Sequence, residues 1–488
     1  MISESISTVT GVQSLQYLYP LIVLGIAGFI ILGLGLATSS KKAYAGIAFG
    51  ALAIAAILIL LIPQNASFVL SNSFAYSQFG AYFAILFVIS SLFIVLPSLK
   101  NISAKGDIFY ALLLFVTTGM IVAAFTMNLI VLFISFEAVS IGTYVLAAFH
   151  KTRRTLEAST KYFFTGVVST SFIIFGLAFF YQAAGTFELT SALAVVSKPA
   201  LLIALLFLTI GFGFKVAIFP MHQWAIDTYY GAENSVSAFL STGSKLVAFM
   251  IMLKIFIVGF STMGEDVFLL FTLLAIFTMT YGNISALSTT NVKKLFAYSS
   301  IAQAGYLILV FSITSYALWS GQNYGLIAVN AVAAAMLYSL VYIFMKGGAF
   351  VFLNTLDKEN PEFSDISGFA RKSPALALSL SIILLALAGI PFTGGFTAKF
   401  YMFLYLVDAK LWWLAIIAIL NSAISVFYYF RVIMYMYWKP DSGVSLSGSR
   451  IASATVIVSA IVVVALFFYF PLFSLLHGFA QGLFGVTG

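Results

Sequence analysis

The sequence has no cysteine and little charge. None of its 488 residues is Cys, which excludes disulfides, thiolate zinc sites, cysteine-ligated iron–sulfur clusters and cysteine nucleophiles. Asp, Glu, Lys and Arg make up only 8% of the chain, against 62% apolar residues and a mean hydropathy of +1.10. A soluble domain carries roughly 25% charged residues, so lipid is the expected solvent. The three histidines, His150, His222 and His477, are too scattered in sequence to read as a metal site. Nucleotide motifs are missing as well. Gly243-Ser244-Lys245 lacks the first glycine and the spacing of a phosphate-binding loop, and no strand precedes Gly211-Phe212-Gly213, so ATP-driven transport by this chain is not expected. Residues 1–16 contain no Lys or Arg and do not read as a signal peptide with a basic start.

What is present is long apolar runs. About 20 such residues cross the hydrocarbon core as a helix. Runs of that kind lie at roughly 17–38, 43–62, 79–97, 107–126, 128–149, 160–182, 199–219, 235–258, 267–288, 295–313, 325–352, 374–408, 411–437 and 452–474. The reading is an all-α polytopic membrane protein of about fourteen transmembrane helices. Continuous rather than alternating apolarity argues against a β-barrel. The net charge of +8 would point to nucleic acid in a soluble protein, but here it resides in short loops, and no nucleic acid partner is expected. Assigned by parity, the loop cations from Lys41 and Lys42 through Lys293 and Lys294 to Lys439 and Arg450 share one side. Only Lys198 and Lys410 fall on the other. The positive-inside rule makes the first side cytoplasmic and both termini external.

Seven basic residues remain inside or at the ends of the spans: Lys161, Lys215, Lys245, Lys254, Lys346, Lys399 and Arg431. A charge at bilayer depth costs at least ~2.5–3.5 kcal/mol on insertion scales, so each is a functional candidate. Lys254 and Arg431 lie near span ends and read as snorkelling to the interface. Glu137 is the only carboxylate in mid-span. A structural ion pair would use one lysine and leave the others unpaired. Buried lysine has a soft charge, sensitive to desolvation and neighbours, which suits proton exchange. Hard metal cations want clustered oxygen ligands instead.

Two spans share a break. Lys215 precedes Phe219-Pro220 in the seventh, and Ile390-Pro391 and Gly394-Gly395 precede Lys399 in the twelfth. Proline kinks a helix, and broken helices at membrane depth line wet cavities. The breaks at Pro220 and Pro391 lie five spans apart, which predicts two five-helix repeats of opposite topology, a common transporter plan. The expected divisions are 1–104 for spans one to three, 105–260 and 261–440 for the two repeats, and 441–488 for the last span. His222, beside the first break, is a possible proton relay as much as a hydrogen-bonded structural histidine.

Several stretches then become familiar. NLIVLFISFEAVSIGTYVLAAF with RRTLEASTKYFFTG, FKVAIFPMHQWAIDTYYGAENSVSAFLSTGSKLVAF, GNISALSTTNVKKLFAYSSIAQAGYL and LALAGIPFTGGFTAKFYMF resemble the antiporter-like subunits of respiratory complex I. The resemblance spans roughly residues 105–440. Asp227-x-x-Tyr230-Gly231-Ala232 and Lys399 make it most similar to the N subunit of NADH–quinone oxidoreductase. There are departures. Ala225-Ile226 stands where the family commonly has Thr-Pro, Ala232-Glu233-Asn234-Ser235 where it has Ala-Pro-Thr-Pro, and Lys346 where N-type chains often have Asn.

The resemblance implies a non-redox, proton-translocating subunit of an oxidoreductase, without cofactors of its own. NAD or F420, flavin, iron–sulfur clusters and quinone would belong to partner chains. Those partners would be antiporter-like L and M types and the small K, J, A and H types, in the plasma membrane of a prokaryote. By the same resemblance Glu137 and Lys215 would form a charge pair and Lys245 the central relay. Lys161 would lie near the cytoplasmic entrance, Lys399 would lead toward the outer half-channel, and Lys346 would be a further relay candidate. The alternative is a subunit of a multisubunit cation/proton antiporter or a membrane-bound hydrogenase.

Overall fold

In the computed structural model, residues 15–484 are described apart from 63–65, 69–73, 101, 103–104, 192–196, 322–324, 442 and 444. The helices run in order α1 (Leu15–Ala37), α2 (Lys41–Leu61), α3 (Gln78–Val95), α4 (Gly106–Ala124), α5 (Leu129–Ala147), α6 (Arg153–Ala184), α7 (Lys198–Val216), α8 (Gln223–Gly231), α9 (Asn234–Ser241) and α10 (Gly243–Leu253). They continue as α11 (Gly264–Ser288), α12 (Val292–Ser320), α13 (Gly325–Phe352), α14 (Phe369–Lys372), α15 (Pro374–Ala388), α16 (Gly394–Asp408), α17 (Trp412–Trp438), α18 (Arg450–Phe468) and α19 (Pro471–Phe484). One antiparallel strand pair, Ala66–Phe68 with Phe74–Tyr76, interrupts the otherwise helical order between α2 and α3.

Among the described residues thirteen helical stretches are long and apolar enough to cross a bilayer. The remaining crossing is α15 with α16. Each is 15 residues, too short alone for a core that needs about 20. The expected all-helical, fourteen-span class is thus borne out, with four refinements. The seventh span continues beyond its break through α8 to Gly231. The eighth is itself broken at Thr242, whose φ −109°, ψ −91° separates α9 from α10. The twelfth is preceded by α14, which turns by 120° into α15. The last ends at Phe468, and α19 folds back onto α13 and α3.

Loop contacts sort to two faces as parity requires. On the basic face Asn291 bridges Glu362 and Leu356 bridges Leu446, while Arg154 donates to Tyr230 O and Lys372 pairs with Asp441. On the opposite face Asn128 bridges Glu188, Lys198 pairs with Asp266, and Leu129 N donates to Phe187 O.

The repeats show in matched hydrogen bonds. Asn128 caps α5 and Asn291 caps α12, each through a side-chain oxygen, and each then bridges a glutamate, Glu188 or Glu362. Such caps satisfy the orphan amides of a helix start. At the breaks, Ile218 N reaches back to Gly213 O and Ile390 N to Leu385 O, both at 3.0 Å. The residue before each is left-handed: Ala217 at φ 62° and Gly389 at φ 84°. Both helices therefore stop in the same Schellman-type turn. Glycine takes that conformation freely, whereas Ala217 carries about 1–2 kcal/mol of strain.

The pairing extends to two cations read from sequence as snorkelling. Lys254 does not snorkel. It is 2% exposed and donates to Ala123 O, Ala124 O and Thr126 O at 2.9, 2.7 and 2.9 Å, closing the end of α4. Arg431 closes the corresponding end of α11 through Leu287 O and Thr289 O at 3.1 and 2.7 Å. The first lies on the opposite face and the second on the basic face, as inverted repeats demand. Helix ends leave carbonyls unpaired, and their partial negative charge favours a cation there. Lys293 also departs from its assignment to an exposed loop: it is fully buried and donates to Ala232 O at 2.6 Å.

Lys254→Met would strand those carbonyls, at a cost of about 1–3 kcal/mol for each group left unsatisfied. The variant should lower the thermal unfolding midpoint of the purified assembly, and Lys254→Arg should largely restore it. Equal midpoints for the Lys254→Met variant and the unsubstituted protein would contradict the capping role.

Candidate functional site

The helices that carry the mid-span lysines are the most enclosed. The eighth span is 100% buried over its apolar window and α12 89%, against 28% for α1 and α18. Lys215, Lys245, Lys346 and Lys399 are 1%, 0%, 0% and 4% exposed. Among the described residues none has a carboxylate within ion-pair distance. Their partners are hydroxyls and backbone carbonyls.

Lys215 ends α7, where the helix dipole favours a cation. Its ammonium donates to Tyr162 OH at 2.5 Å, Thr143 Oγ1 at 3.0 Å and Ser140 Oγ at 3.4 Å. Tyr162 lies 3.2 Å from Thr143 and also engages Ser244, the neighbour of Lys245. Lys245 sits in the first turn of α10, beside the break at Thr242. There the helix presents amides rather than carbonyls, so its ammonium turns to α12 and donates to Ser300 O and Oγ, both at 2.8 Å. Ser300 Oγ is 2.9 Å from Tyr342 OH on α13. One turn further along α13, Lys346 donates to Ser299 Oγ at 2.6 Å and Phe296 O at 3.1 Å. Adjacent serines of α12 thus hold lysines from two different helices.

From Ser299 the hydrogen bonds run on through Tyr429 OH to Gln303, which donates to that hydroxyl at 3.3 Å and to Leu387 O at 3.0 Å. Leu387 O also accepts from Lys399 at 2.9 Å. Lys399 completes its shell with Ala388 O at 3.1 Å and Ser422 Oγ at 2.9 Å, above the Tyr306 ring at 4.5 Å. Lys215 and Lys399 therefore occupy opposite halves of their breaks. Lys399 reaches from α16 back to cap α15, whereas at the first break Trp224 Nε1 caps Phe214 O at 2.7 Å. That difference frees Lys215 to face α5 and α6.

The expected Glu137–Lys215 pair is not a direct contact. Glu137 is half-buried and accepts from Thr170 Oγ1 at 2.8 Å. Ser140, one turn along α5, stands on the Lys215 side. Glu137 borders an exposed apolar face on which Ile134 and Ile141 are 61% and 58% exposed. Lys161 stands apart from the file: it is half-exposed and paired with Glu157 at 3.0 Å and Asp227 at 2.9 Å. His222 is 2% exposed, packs 4.1 Å from the Tyr281 ring, and has no hydrogen-bond partner on either ring nitrogen among the described residues. The arrangement offers alternating amines and hydroxyls, groups that both donate and accept protons. Tyr162, Ser299, Ser300, Gln303, Tyr342, Tyr429 and Ser422 were not singled out in sequence. The available signal was polar residues interrupting apolar spans, as in Tyr428-Tyr429 and Ser299-Ser300.

An inverted-repeat bundle with matched breaks in its seventh and twelfth spans and a central lysine file defines the antiporter-like class of membrane subunits. Residues 126–425 match the family described as NADH:quinone oxidoreductase/Mrp antiporter, TM, and the chain belongs to that family. It is 37% identical to F(420)H(2) dehydrogenase subunit N of Methanosarcina mazei, over 93% of this chain and 96% of that one. It is 38% identical to NADH-quinone oxidoreductase subunit N of Trichlorobacter lovleyi, over 76% of each. Among solved structures, a chain of respiratory complex I from Thermus thermophilus superposes with TM-score 0.78 and 27% identity, covering 93% of this chain and 98% of that one. A chain of an archaeal membrane-bound sulfane sulfur reductase shares the fold at TM-score 0.84 and 23% identity, covering 97% and 98%.

Tyr162→Phe keeps the ring stacked 4.4 Å from Trp224 and removes only the hydroxyl that joins Lys215 to Ser244. It is expected to leave assembly intact and slow proton translocation several-fold, measured in vesicles containing the complex. Unchanged translocation would show that the hydroxyl is not part of the route.

Proposed function

We propose that this chain is a non-redox, proton-translocating membrane subunit of a complex I-like quinone oxidoreductase. The observation that carries the reading is the buried file Lys215–Lys245–Lys346–Lys399, set among hydroxyls, the Gln303 amide and backbone carbonyls and paired with no carboxylate among the described residues. Lysines held this way can gain and lose protons without breaking an ion pair, whereas a structural bridge would place Asp or Glu beside them. Relatives at 37% and 38% identity that both bear subunit N names support the oxidoreductase over a cation/proton antiporter.

In this reading protons pass along Lys215, Lys245, Lys346 and Lys399, and Glu137 responds to the state of the assembly. Lys161 gathers protons near the cytoplasmic side. His222 is held in reserve beside the first break. The units are spans one to three (1–104), two repeats (105–260 and 261–440) and a closing segment (441–488). The basic face is cytoplasmic by the positive-inside rule, with the membrane being the plasma membrane of a prokaryote and the termini outside. A half-buried carboxylate beside an apolar face is costly in lipid. The α5–α6 surface around Glu137 therefore meets a neighbouring membrane subunit of L, M or smaller type. NAD or F420, flavin, iron–sulfur clusters and quinone belong to those partner subunits.

Lys245→Ala should preserve assembly and cut pumping by about tenfold, the effect of ~1.4 kcal/mol on the limiting step. Glu137→Gln and Lys215→Ala should lower the number of protons moved per electron pair. The measurement is acidification against quinone reduction in vesicles holding the whole complex. A normal ratio in both variants would overturn the relay. Loss of the complex from the membrane in the Lys245 variant would assign that lysine a structural role.

A further inference from the structure

The loops of the basic face enclose a polar cavity of about 270 Å³ that none of the assigned relay residues lines. Its floor is the start of the eighth span. Glu233 and Asn234 lie there, 6% and 3% exposed. His150, Asp357 and Glu359 line it from the α5–α6 turn and the loop after α13. Asn234 Oδ1 is fully enclosed and has no hydrogen-bond partner among the described residues. The cavity itself is large and polar enough to hold water.

Glu233 caps α9, accepting from Ser235 N at 2.8 Å and Val236 N at 3.1 Å. Capping alone does not call for glutamate: Ser, Thr, Asp and Asn are the favoured residues at such a position. Its other oxygen accepts from Ser235 Oγ at 3.2 Å, and Asn354 donates to that same hydroxyl at 2.7 Å. Behind it Ser237 bonds Tyr229 O at 2.8 Å. The Tyr229 hydroxyl faces Leu240 O at 3.4 Å and Ser300, the serine that holds Lys245. Charged and titratable groups facing Glu233 include Lys293 from α12 and Tyr110 from α4, together with His150, Asp357 and Glu359 around the same cavity. Arg154 and Glu359 face Lys293 in turn.

We propose that this cavity is the cytoplasmic mouth of the proton route, and that the Glu233 carboxylate draws protons from the water there and passes them on toward Lys245, whose partner Ser300 the Tyr229 hydroxyl faces. Three carboxylates around one polar opening also concentrate cations at its mouth. Among the described residues no group of three or more His, Asp or Glu is placed to hold a metal ion. The inference rests on the proposed function and adds to it a point of proton uptake distinct from Lys161.

The test uses the whole complex in vesicles with the cytoplasmic face outward. Glu233→Asn keeps a capping oxygen and removes the carboxylate. The complex should assemble and oxidise its donor, while pumping falls several-fold in an alkaline bath and recovers in an acidic one, where protons are abundant. Glu233→Asp should restore the alkaline rate. A normal rate in both baths, or an equal loss in both, would overturn the proposal and leave Glu233 a cap. As a second probe, Asp357→Cys introduces a thiol at the rim of a cysteine-free chain. Attaching a bulky thiol reagent from the bath should block pumping, and no change on labelling would count against the cavity. Lys245→Ala run in parallel separates the two ideas. If it pumps normally the relay itself is wrong. If it is slow while Glu233→Asn is normal, only the entrance is misplaced.

Discussion

Burying an ammonium group without a carboxylate is the constraint on which the rest of this structure depends. Six lysines, Lys215, Lys245, Lys254, Lys293, Lys346 and Lys399, are each at most 4% exposed. A buried polar group is tolerable only when hydrogen-bonded, and an unpaired buried charge is costly. The chain meets that cost in one consistent way, by turning each ammonium toward backbone carbonyls or hydroxyls. Where the carbonyls are those of a helix end, as at α4 for Lys254 and α15 for Lys399, the dipole adds to the effect. Broken helices supply such ends inside the membrane, so the breaks and the lysines explain each other.

The inverted repeats supply two copies of this device and use them differently. Both breaks stop in the same turn, at Ala217 and Gly389. At the second, the stopped helix is capped by Lys399 from across the break. At the first, Trp224 takes that place. Lys215 is then the last turn of the stopped helix itself and looks outward, toward Tyr162 and the helix that bears Glu137. The symmetric frame thus yields an asymmetric file, with one end near the half-buried carboxylate of α5 and the other deep in the second repeat. Close approach at the second break is enforced by Gly395, where a Cβ would overlap the Ala386 carbonyl.

Much of the frame was legible in the sequence because lipid imposes simple rules. Run length gave the spans, the parity of loop cations gave the faces, and Pro220 and Pro391 gave the breaks. What was hidden depends on contacts between distant segments. Lys254 looked like an interfacial residue because sequence shows its nearness to a span end but not the end of α4 beside it. Lys293 looked like a loop residue because its neighbours Asn291 and Lys294 are polar, yet the junction of α8 and α9 folds over it. The break at Thr242 carries no proline and left no local mark. The resemblance to the antiporter-like subunits implied a Glu137–Lys215 charge pair between the fifth and seventh spans. Thr170 takes Glu137 and three hydroxyls take Lys215 instead. Hydroxyl connectors such as Ser300 and Tyr342 are common residues whose meaning comes only from what they touch.

The central claim is that the buried lysines are steps of one hydrated route. The most direct measurement is a structure of the intact complex in a membrane mimetic, at a resolution that reveals ordered water. The account predicts water molecules bridging the hydroxyls between Lys215, Lys245, Lys346 and Lys399. Four lysines in separate apolar pockets, with no water or hydroxyl between one and the next, would contradict it.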